Sequence, residues 1–290
     1  MRGLEKKILL ALALLSFIPA SASGPVLGYG QNPEQAIYSD KPSERKKPKV
    51  LIDPGHYPNN GTSYVRGKNS LAEHGLTLKV GELVRSETKD ADVELTREGN
   101  DYSEKLKSFR ASQSGQLDLI LDSKEKDARK KHFEFDRERN AKLYAISLYS
   151  DSGDFSAFVS IHFDQPGTRG YQVYVSPQNP EKGRELAEFI AEELAKISYP
   201  SKSVYNDRGI GPLKAEAKRL NRMGIGFREF VVTGDKYESK KIPSVLAELG
   251  GIDTLGLAKK EKQKLYAGAV SRGVINYLKR QESVSQRAGN

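Results

Sequence analysis

The chain has 290 residues, no cysteine and a formal net charge of +9 at pH 7. The lack of cysteine excludes a disulfide framework, a thiol nucleophile and a Cys-ligated metal site. The basic charge could draw the protein to anionic polymers or membrane surfaces, but we favour a solvated, lysine-rich surface. We see no nucleic-acid recognition motif, and we expect no nucleic-acid partner.

Residues 1–22 have the three parts of a secretory signal peptide: a positively charged start, an apolar run over 8–18 and the small-residue triplet Ala20-Ser21-Ala22. The run is too short for a membrane anchor, which needs about 20 apolar residues. No other stretch is apolar enough to span. We therefore expect a periplasmic or secreted protein with no membrane span after cleavage. Residues 23–47 have the composition of a flexible leader.

The domain that follows, over 48–281, alternates predicted strands and helices. The strands are predicted over 49–52, 93–96, 157–161, 170–175, 230–232 and 244–247, with 170–175 half-exposed. The helices are predicted over 71–84, 137–149, 182–197 and 260–280. This alternation predicts an α/β fold: a single domain with an open, largely parallel twisted sheet flanked by helices on both faces. Residues 282–290 are predicted to be a polar tail.

A charged insertion occupies residues 103–136. It contains the apolar segment Leu117–Leu121 and then a dense mixed-charge run over 122–131. Two interpretations stay open: a lid or regulatory helix over a functional cleft, or a solvated helical excursion. We favour the second.

Three predicted strands carry a His or Glu at or near their ends. His56 follows the first strand, His162 follows 157–161, and Glu248 follows 244–247. Carboxyl ends of parallel strands meet at one edge of a sheet, so these side chains can come together. Two histidines and a carboxylate are a common protein share of a catalytic zinc site, which leaves a position for water. Because the chain has only four histidines, this placement predicts a zinc hydrolase.

Ordered motifs across 48–279 resemble those of the zinc-dependent N-acetylmuramoyl-L-alanine amidases of type 3, enzymes that cut peptidoglycan. The motifs are Leu51-Ile52-Asp53-Pro54-Gly55-His56, Glu73 at a helix start, Val93-Glu94-Leu95-Thr96-Arg97, Arg139-Asn140-Ala141, Val159-Ser160-Ile161-His162, Gly170-Tyr171-Gln172-Val173-Tyr174 and residues 243–250. The loop Tyr57-Pro58-Asn59-Asn60 departs from the family, which commonly has glycine after this histidine.

The resemblance implies a role for each matching residue. His56, Glu73 and His162 would be Zn²⁺ ligands, and Glu248 would be the catalytic carboxylate. Zinc polarises a carbonyl and acidifies water, and a nearby carboxylate can move a proton from water to the leaving amine. The substrate would be peptidoglycan, cut at the amide between N-acetylmuramic acid and L-alanine. No repeated wall-binding module is evident at either end, so substrate capture would come from the catalytic domain or from partner proteins, of which a protein activator is one possibility.

Each residue also has an ordinary structural interpretation. His56 could cap a turn, His162 could be a hydrogen-bonded core residue, and Glu73 could be an acid favoured by a helix dipole. Glu248 is harder to explain in this way, because a carboxylate closing an apolar strand is costly to bury without a partner. The remaining histidines, His74 and His132, are expected to lie outside the set of ligands.

Two rival functions remain at this point. One is a non-catalytic peptidoglycan-binding or scaffold protein on the same fold. The other is a zinc peptidase that acts on another amide of the stem peptide. The presence of all four site residues disfavours the first, whereas fold and shared chemistry do not decide the second.

Overall fold

The computed structural model describes residues 46–56, 63–66, 69–201, 216–235, 237 and 240–288. The predicted signal peptide, nearly all of the predicted leader and the loop over 57–60 lie outside the described residues. The strands are β1 (Lys49–Pro54), β2 (Ser63–Arg66), β3 (Asn69–Ala72), β4 (Asp92–Leu95), β5 (Arg97–Glu98), β6 (Asp101–Tyr102), β7 (Phe155–Asp164), β8 (Gln172–Val175), β9 (Ile225–Phe227) and β10 (Ser244–Gly251). The helices are α1 (Glu73–Glu87), α2 (Glu104–Ser112), α3 (Ser114–Lys130), α4 (Arg137–Ser152), α5 (Pro180–Ala195), α6 (Ala217–Arg222) and α7 (Lys260–Ala288).

The main sheet has six strands in the order β4-β1-β7-β10-β8-β9. Every neighbouring pair is parallel except β10 with β8. The strands β2–β3 and β5–β6 form two separate antiparallel pairs. The predicted open, largely parallel sheet is therefore confirmed.

Side chains alternate between two hydrophobic clusters, one on each face of the sheet. Val50, Ile52, Val159 and Val245 point to the face covered by α1, α5 and α7. Leu51, Phe158, Tyr174 and Leu246 point to the face covered by α2, α3 and α4. Successive residues of a strand face opposite sides, so both faces are buried and each strand reads as a nearly continuous apolar run.

The strand predicted over 230–232 is wrong. Val231–Thr233 forms a 3₁₀ turn instead, closed by Gly234 with a φ of 100°. The neighbouring strand β10 already pairs on both sides, with β7 and β8, so it has no free edge for a further strand. The β-branched valines pack against α4 rather than joining the sheet.

Three further regions differ in detail from the predictions. Strand β8 is fully buried rather than half-exposed, because α5 packs against it and Phe230 lies against Tyr174. The insertion forms two helices, α2 and α3, that pack on α4. Helix α7 continues to Ala288, so the residues predicted as a polar tail are mostly helical. Among the described residues, no helix is long and apolar enough to cross a membrane.

Candidate active site

The register of the central strands brings the predicted site residues to one sheet edge. Glu248 of β10 lies directly beside His162 of β7. Gly55 follows β1, and its N–H donates to the carbonyl of Ile161 at 2.9 Å, which fixes the turn before His56. Residues two apart on a strand share a face, so Ser160 and His162 point to the α4 side of the sheet together with Leu246 and Glu248. The predicted convergence at the strand ends is found.

His56, Glu73 and His162 converge on one point. Their nearest ligand-type atoms all lie within 4.8 Å of one another. Glu73 Oε1 is 3.1 Å from His56 Nε2 and 3.4 Å from His162 Nδ1. Glu73 is the first residue of α1, and its carboxylate also accepts the N–H of Phe163 at 3.1 Å. The structure thus joins a strand end, a helix start and a turn in a single donor cluster.

The Glu73 carboxylate is stabilised in its charged form. Burial acts to raise its pKa, but hydrogen bonds with His162 and His56 outweigh burial and hold that pKa far below its usual range. An anion at the centre of two imidazoles is suited to a cation, because carboxylate oxygen and neutral imidazole nitrogen are both zinc ligands.

A buried hydrogen-bond chain fixes the ring of His162. Asp53 accepts from Thr96 Oγ1 at 2.6 Å and from Ser160 Oγ at 2.7 Å. Because the serine proton goes to Asp53, Ser160 Oγ acts as acceptor for His162 Nε2, 3.1 Å away. In the neutral imidazole, the form that binds a metal, that bond places the ring proton on Nε2 and leaves the lone pair of Nδ1 facing Glu73. A carboxylate and a lone pair facing each other repel unless a proton or a cation lies between them, so this donor set fits a metal ion.

The turn that carries His56 leaves no room for a side chain at position 55. A Cβ added to Gly55 would lie 2.2 Å from His162 Cε1 and 2.4 Å from its Nε2. His56 itself has a φ of 62°, a left-handed backbone conformation that costs about 1–2 kcal/mol for an L residue. Close packing therefore fixes the relative positions of the two histidines.

We predict that Gly55→Ala lowers the free energy of unfolding by about 1–3 kcal/mol, the usual penalty for overpacking. Relief of the clash requires the His162 ring to move, which breaks its bond to Ser160. Urea denaturation would measure the change. Gly75→Ala is the matched control, since a Cβ there meets nothing within 4 Å and position 75 is helical; it should be neutral or slightly stabilising. Equal stability of Gly55→Ala and the wild type would contradict the packing argument.

Arg97 braces the two segments that carry His56 and Glu73. Its buried guanidinium donates through Nη2 to the carbonyl of His74 at 2.7 Å and to that of Gly55 at 3.4 Å. Thr77 Oγ1 also donates to the Gly55 carbonyl, at 2.7 Å. These bonds tie the start of α1 to the end of β1. His74 contributes its carbonyl to this brace, and its ring is not part of the donor cluster.

Glu248 is placed beside the donor cluster with one oxygen that lacks a partner. Its side chain as a whole is half-buried, but Oε2 is inaccessible to solvent and has no hydrogen-bond partner among the described residues. Burial raises the pKa of Glu248 to about 8, and the negative charges of Asp164 and Glu73 act in the same direction, while His56 and Arg228 oppose them. A carboxylate with this pKa can take up a proton near neutral pH.

A cavity of about 500 Å³ opens beside these residues. His56, His162 and Glu248 are among the residues that line it. Other lining residues lie in or next to α4 and the 3₁₀ turn: Asp136, Glu138, Arg139, Lys142, Leu143, Ile146, Phe230, Val231 and Val232. A volume of this size suits a small molecule or a short peptide.

The helices of the charged insertion do not line this cavity, and of residues 103–136 only the last, Asp136, does so. Of the residues that the structure describes, those lining the cavity include none from α2 or α3. Leu106, Leu117 and Leu121 instead pack into the hydrophobic cluster beneath α4. Lys124 of α3 contacts Asp235 at 3.4 Å. The geometry favours a packed helical excursion over a lid.

The model of the N-acetylmuramoyl-L-alanine amidase family matches residues 50–279, which is most of the chain. The chain belongs to this family. The matched range contains the whole donor cluster, Glu248 and the cavity. No curated protein matches the chain significantly by sequence.

Solved amidase structures share this fold. Ami1 from Mycobacterium smegmatis has a TM-score of 0.52 and 17% identity, with 81% of this chain and 98% of that chain covered. Ami1 from Mycobacterium abscessus has a TM-score of 0.51 and 18% identity, with 80% and 99% covered. The CwlD amidase from Clostridioides difficile, solved in complex with the GerS lipoprotein, has a TM-score of 0.50 and 20% identity, with 81% and 99% covered.

Three further residues of this amidase lie within the motifs that match the family and have roles that the motifs alone do not predict. Asp53 and Ser160 orient His162, and Arg97 braces the two segments that carry His56 and Glu73. A sequence signal for Ser160 was available, because a residue two before His162 on a strand must share its face. The brace formed by Arg97 had no such signal, since it depends on how α1 docks against β1.

Proposed function

We propose that this amidase is an exported, zinc-dependent enzyme in which His56, Glu73 and His162 hold the metal and Glu248 is the general base. The observation that carries the proposal is the convergence of the three donors beside a carboxylate oxygen without a partner. Bound Zn²⁺ would supply Lewis-acid chemistry, polarising a carbonyl and making water more acidic.

The chain's own residues would carry the proton transfer. Glu248 would accept a proton from the attacking water and deliver it to the nitrogen of L-alanine as that amine leaves. Arg97, Thr77, Asp53 and Ser160 would hold the donors in place before substrate arrives. The walls from α4 and the 3₁₀ turn would position the peptide and limit access of bulk water.

Product analysis separates this function from its rivals. Purified sacculi are incubated with the protein, with and without a zinc chelator, and the soluble products are analysed by mass spectrometry. An amidase that cuts at L-alanine releases stem peptides with a free L-alanine amino terminus and leaves muramic acid with a free lactyl carboxylate. A peptidase at another bond would leave L-alanine on the sugar, and a non-catalytic binding protein would release nothing.

We predict that Ser160→Ala weakens zinc affinity about 10- to 100-fold, the usual effect of losing a group that orients a metal ligand. The substitution removes the acceptor that fixes the His162 tautomer. Competition with a chromogenic chelator would measure the affinity. Ser86→Ala, on an exposed part of α1, is the control and should bind zinc as the wild type does. An unchanged affinity in a folded Ser160→Ala variant would contradict the orienting role.

Export and protein partners complete the proposal. The charged start, apolar run and Ala20-Ser21-Ala22 triplet favour a cleaved signal peptide, and amino-terminal sequencing of the mature protein should begin at Ser23. A protein activator is proposed because the solved CwlD amidase binds the GerS lipoprotein. Co-purification of cross-linked partners from the cell envelope would test this.

A further inference from the structure

The cavity beside the donor cluster contains an arginine with no ion-pair partner in the part of the chain that the structure describes. Arg139, in the first turn of α4, lines the cavity and is exposed. No acidic side chain of the described residues forms a salt bridge with its guanidinium. By contrast, the neighbouring Arg137 contacts three carboxylates of α3 within 3.3 Å. An arginine without an internal partner in a cleft is available for a bound anion.

The two acids closest to Arg139 in sequence are already engaged. Asp136 caps α4, where its Oδ1 accepts the backbone N–H of Arg139 at 2.9 Å. Glu138 receives two hydrogen bonds from Arg110, at 2.8 and 3.2 Å, and its Oε1 lies 3.6 Å from Lys142. Both acids also line the cavity, but their hydrogen bonds go to the backbone of α4 and to Arg110, and neither forms a salt bridge with the Arg139 guanidinium.

A second cavity, lined by Asp164 of β7 and Gln172 of β8, differs in this respect. It is also lined by Arg169 and Arg228. Arg169 pairs with Asp253 at 3.3 Å, and Arg228 stacks 5.0 Å above the ring of Phe230. Both cations already have neighbours within the protein. The cavity that contains Arg139 is therefore the better binding site for an anionic group of the substrate.

The proposed substrate has its nearest free anion on the peptide side of the scissile amide. The sugar carries hydroxyl and acetamido groups, which are neutral. The second residue of a stem peptide is D-glutamate linked through its γ-carboxyl, so its α-carboxylate is free unless it is amidated. That carboxylate lies one residue beyond the bond to be cut, and a cavity of about 500 Å³ has room for such a dipeptide.

We propose that Arg139 forms the anion subsite of this cavity and binds the free α-carboxylate of the second stem-peptide residue. This inference rests on the proposed function. A bidentate arginine–carboxylate contact supplies both attraction and orientation. The enzyme then prefers stem peptides whose second residue is not amidated. Leu143 and Ile146 of α4 contact the aliphatic part of the peptide.

The test uses two muropeptides that differ only in that group, one with D-glutamate and one with its α-amide. The full-length wild type should have the higher kcat/KM on the acid. Arg139→Ala should lower kcat/KM on the acid about 10- to 100-fold, mainly through KM, and should lower it much less on the amide, whose neutral oxygen accepts a weaker hydrogen bond. On the acid, the kcat/KM of Arg139→Lys should lie between those of the wild type and Arg139→Ala. Lysine keeps the positive charge but cannot form the bidentate contact of a guanidinium.

Arg222→Ala is the matched control. Arg222 is exposed on α6 and does not line the cavity, so this variant should cleave both muropeptides at the wild-type rate. Equal losses on the acid and the amide in Arg139→Ala would overturn the inference, and so would a wild type that does not distinguish the two. If the wild type cleaves neither muropeptide and releases no peptide from sacculi, the proposed function fails and this inference fails with it.

Discussion

Glu248→Gln should lower the rate of amide hydrolysis about 10²- to 10⁴-fold, the typical cost of losing a positioned general base. Glutamine keeps the size and shape of the side chain but cannot accept the proton from water. The variant should fold and keep its metal, because three other side chains form the donor cluster. Muropeptide release from sacculi and metal analysis of the same preparation would measure the two effects.

Glu192→Gln is the matched control for this change. Glu192 is an exposed residue of α5, so the same substitution there should leave the rate unchanged. Release of muropeptides by Glu248→Gln at close to the wild-type rate would exclude Glu248 as the base. Loss of metal together with activity would instead make Glu248 a ligand and reopen the role of Glu73.

The architecture was predictable because it depends on local patterns. Apolar runs such as Val50–Ile52 and Phe158–Ile161 must be buried on both faces, and amphipathic helices between them provide that cover. The same runs end in His56 and His162, so the meeting of both histidines at one edge followed from the strand direction. The prediction needed no knowledge of side-chain packing.

Details that depend on long-range contacts were not predictable. Val231 and Val232 have strand propensity, but β10 is already paired on both sides, and the pair forms a 3₁₀ turn in the cavity wall. The charged run over 122–131 does not predict which surface of the domain the insertion packs against. Its position on α4 follows from Leu117 and Leu121, which reach the hydrophobic cluster.

The assignment of Glu73 rather than His74 shows the limit of sequence reasoning. Adjacent helical residues point about 100° apart, so only one of them can face the cluster, and the resemblance to the family selected Glu73. The structure places the Glu73 carboxylate, and not the His74 ring, in the donor cluster. The Glu73 carboxylate accepts the N–H of Phe163, whereas the backbone of His74 is held by Arg97.

His56→Ala and His162→Ala should each reduce zinc affinity by more than about 100-fold, beyond the effect of losing a group that only orients a ligand. Each substitution removes one of the three donors, whose atoms lie within 4.8 Å. Two donors leave the metal exposed to water and to competing chelators. Metal analysis after dialysis, with circular dichroism to confirm folding, would measure the loss.

His74→Ala is the control that removes a histidine from outside the donor cluster. His74 is next to Glu73 in sequence, but its ring is not part of the donor cluster and its carbonyl, which forms the brace, is retained in alanine. This variant should therefore keep its full zinc content. If His74→Ala lost zinc while His56→Ala kept it, α1 would have to present its second residue to the metal, and the geometry around Glu73 would need a different explanation. Retention of zinc by both His56→Ala and His162→Ala would rule out the proposed centre altogether.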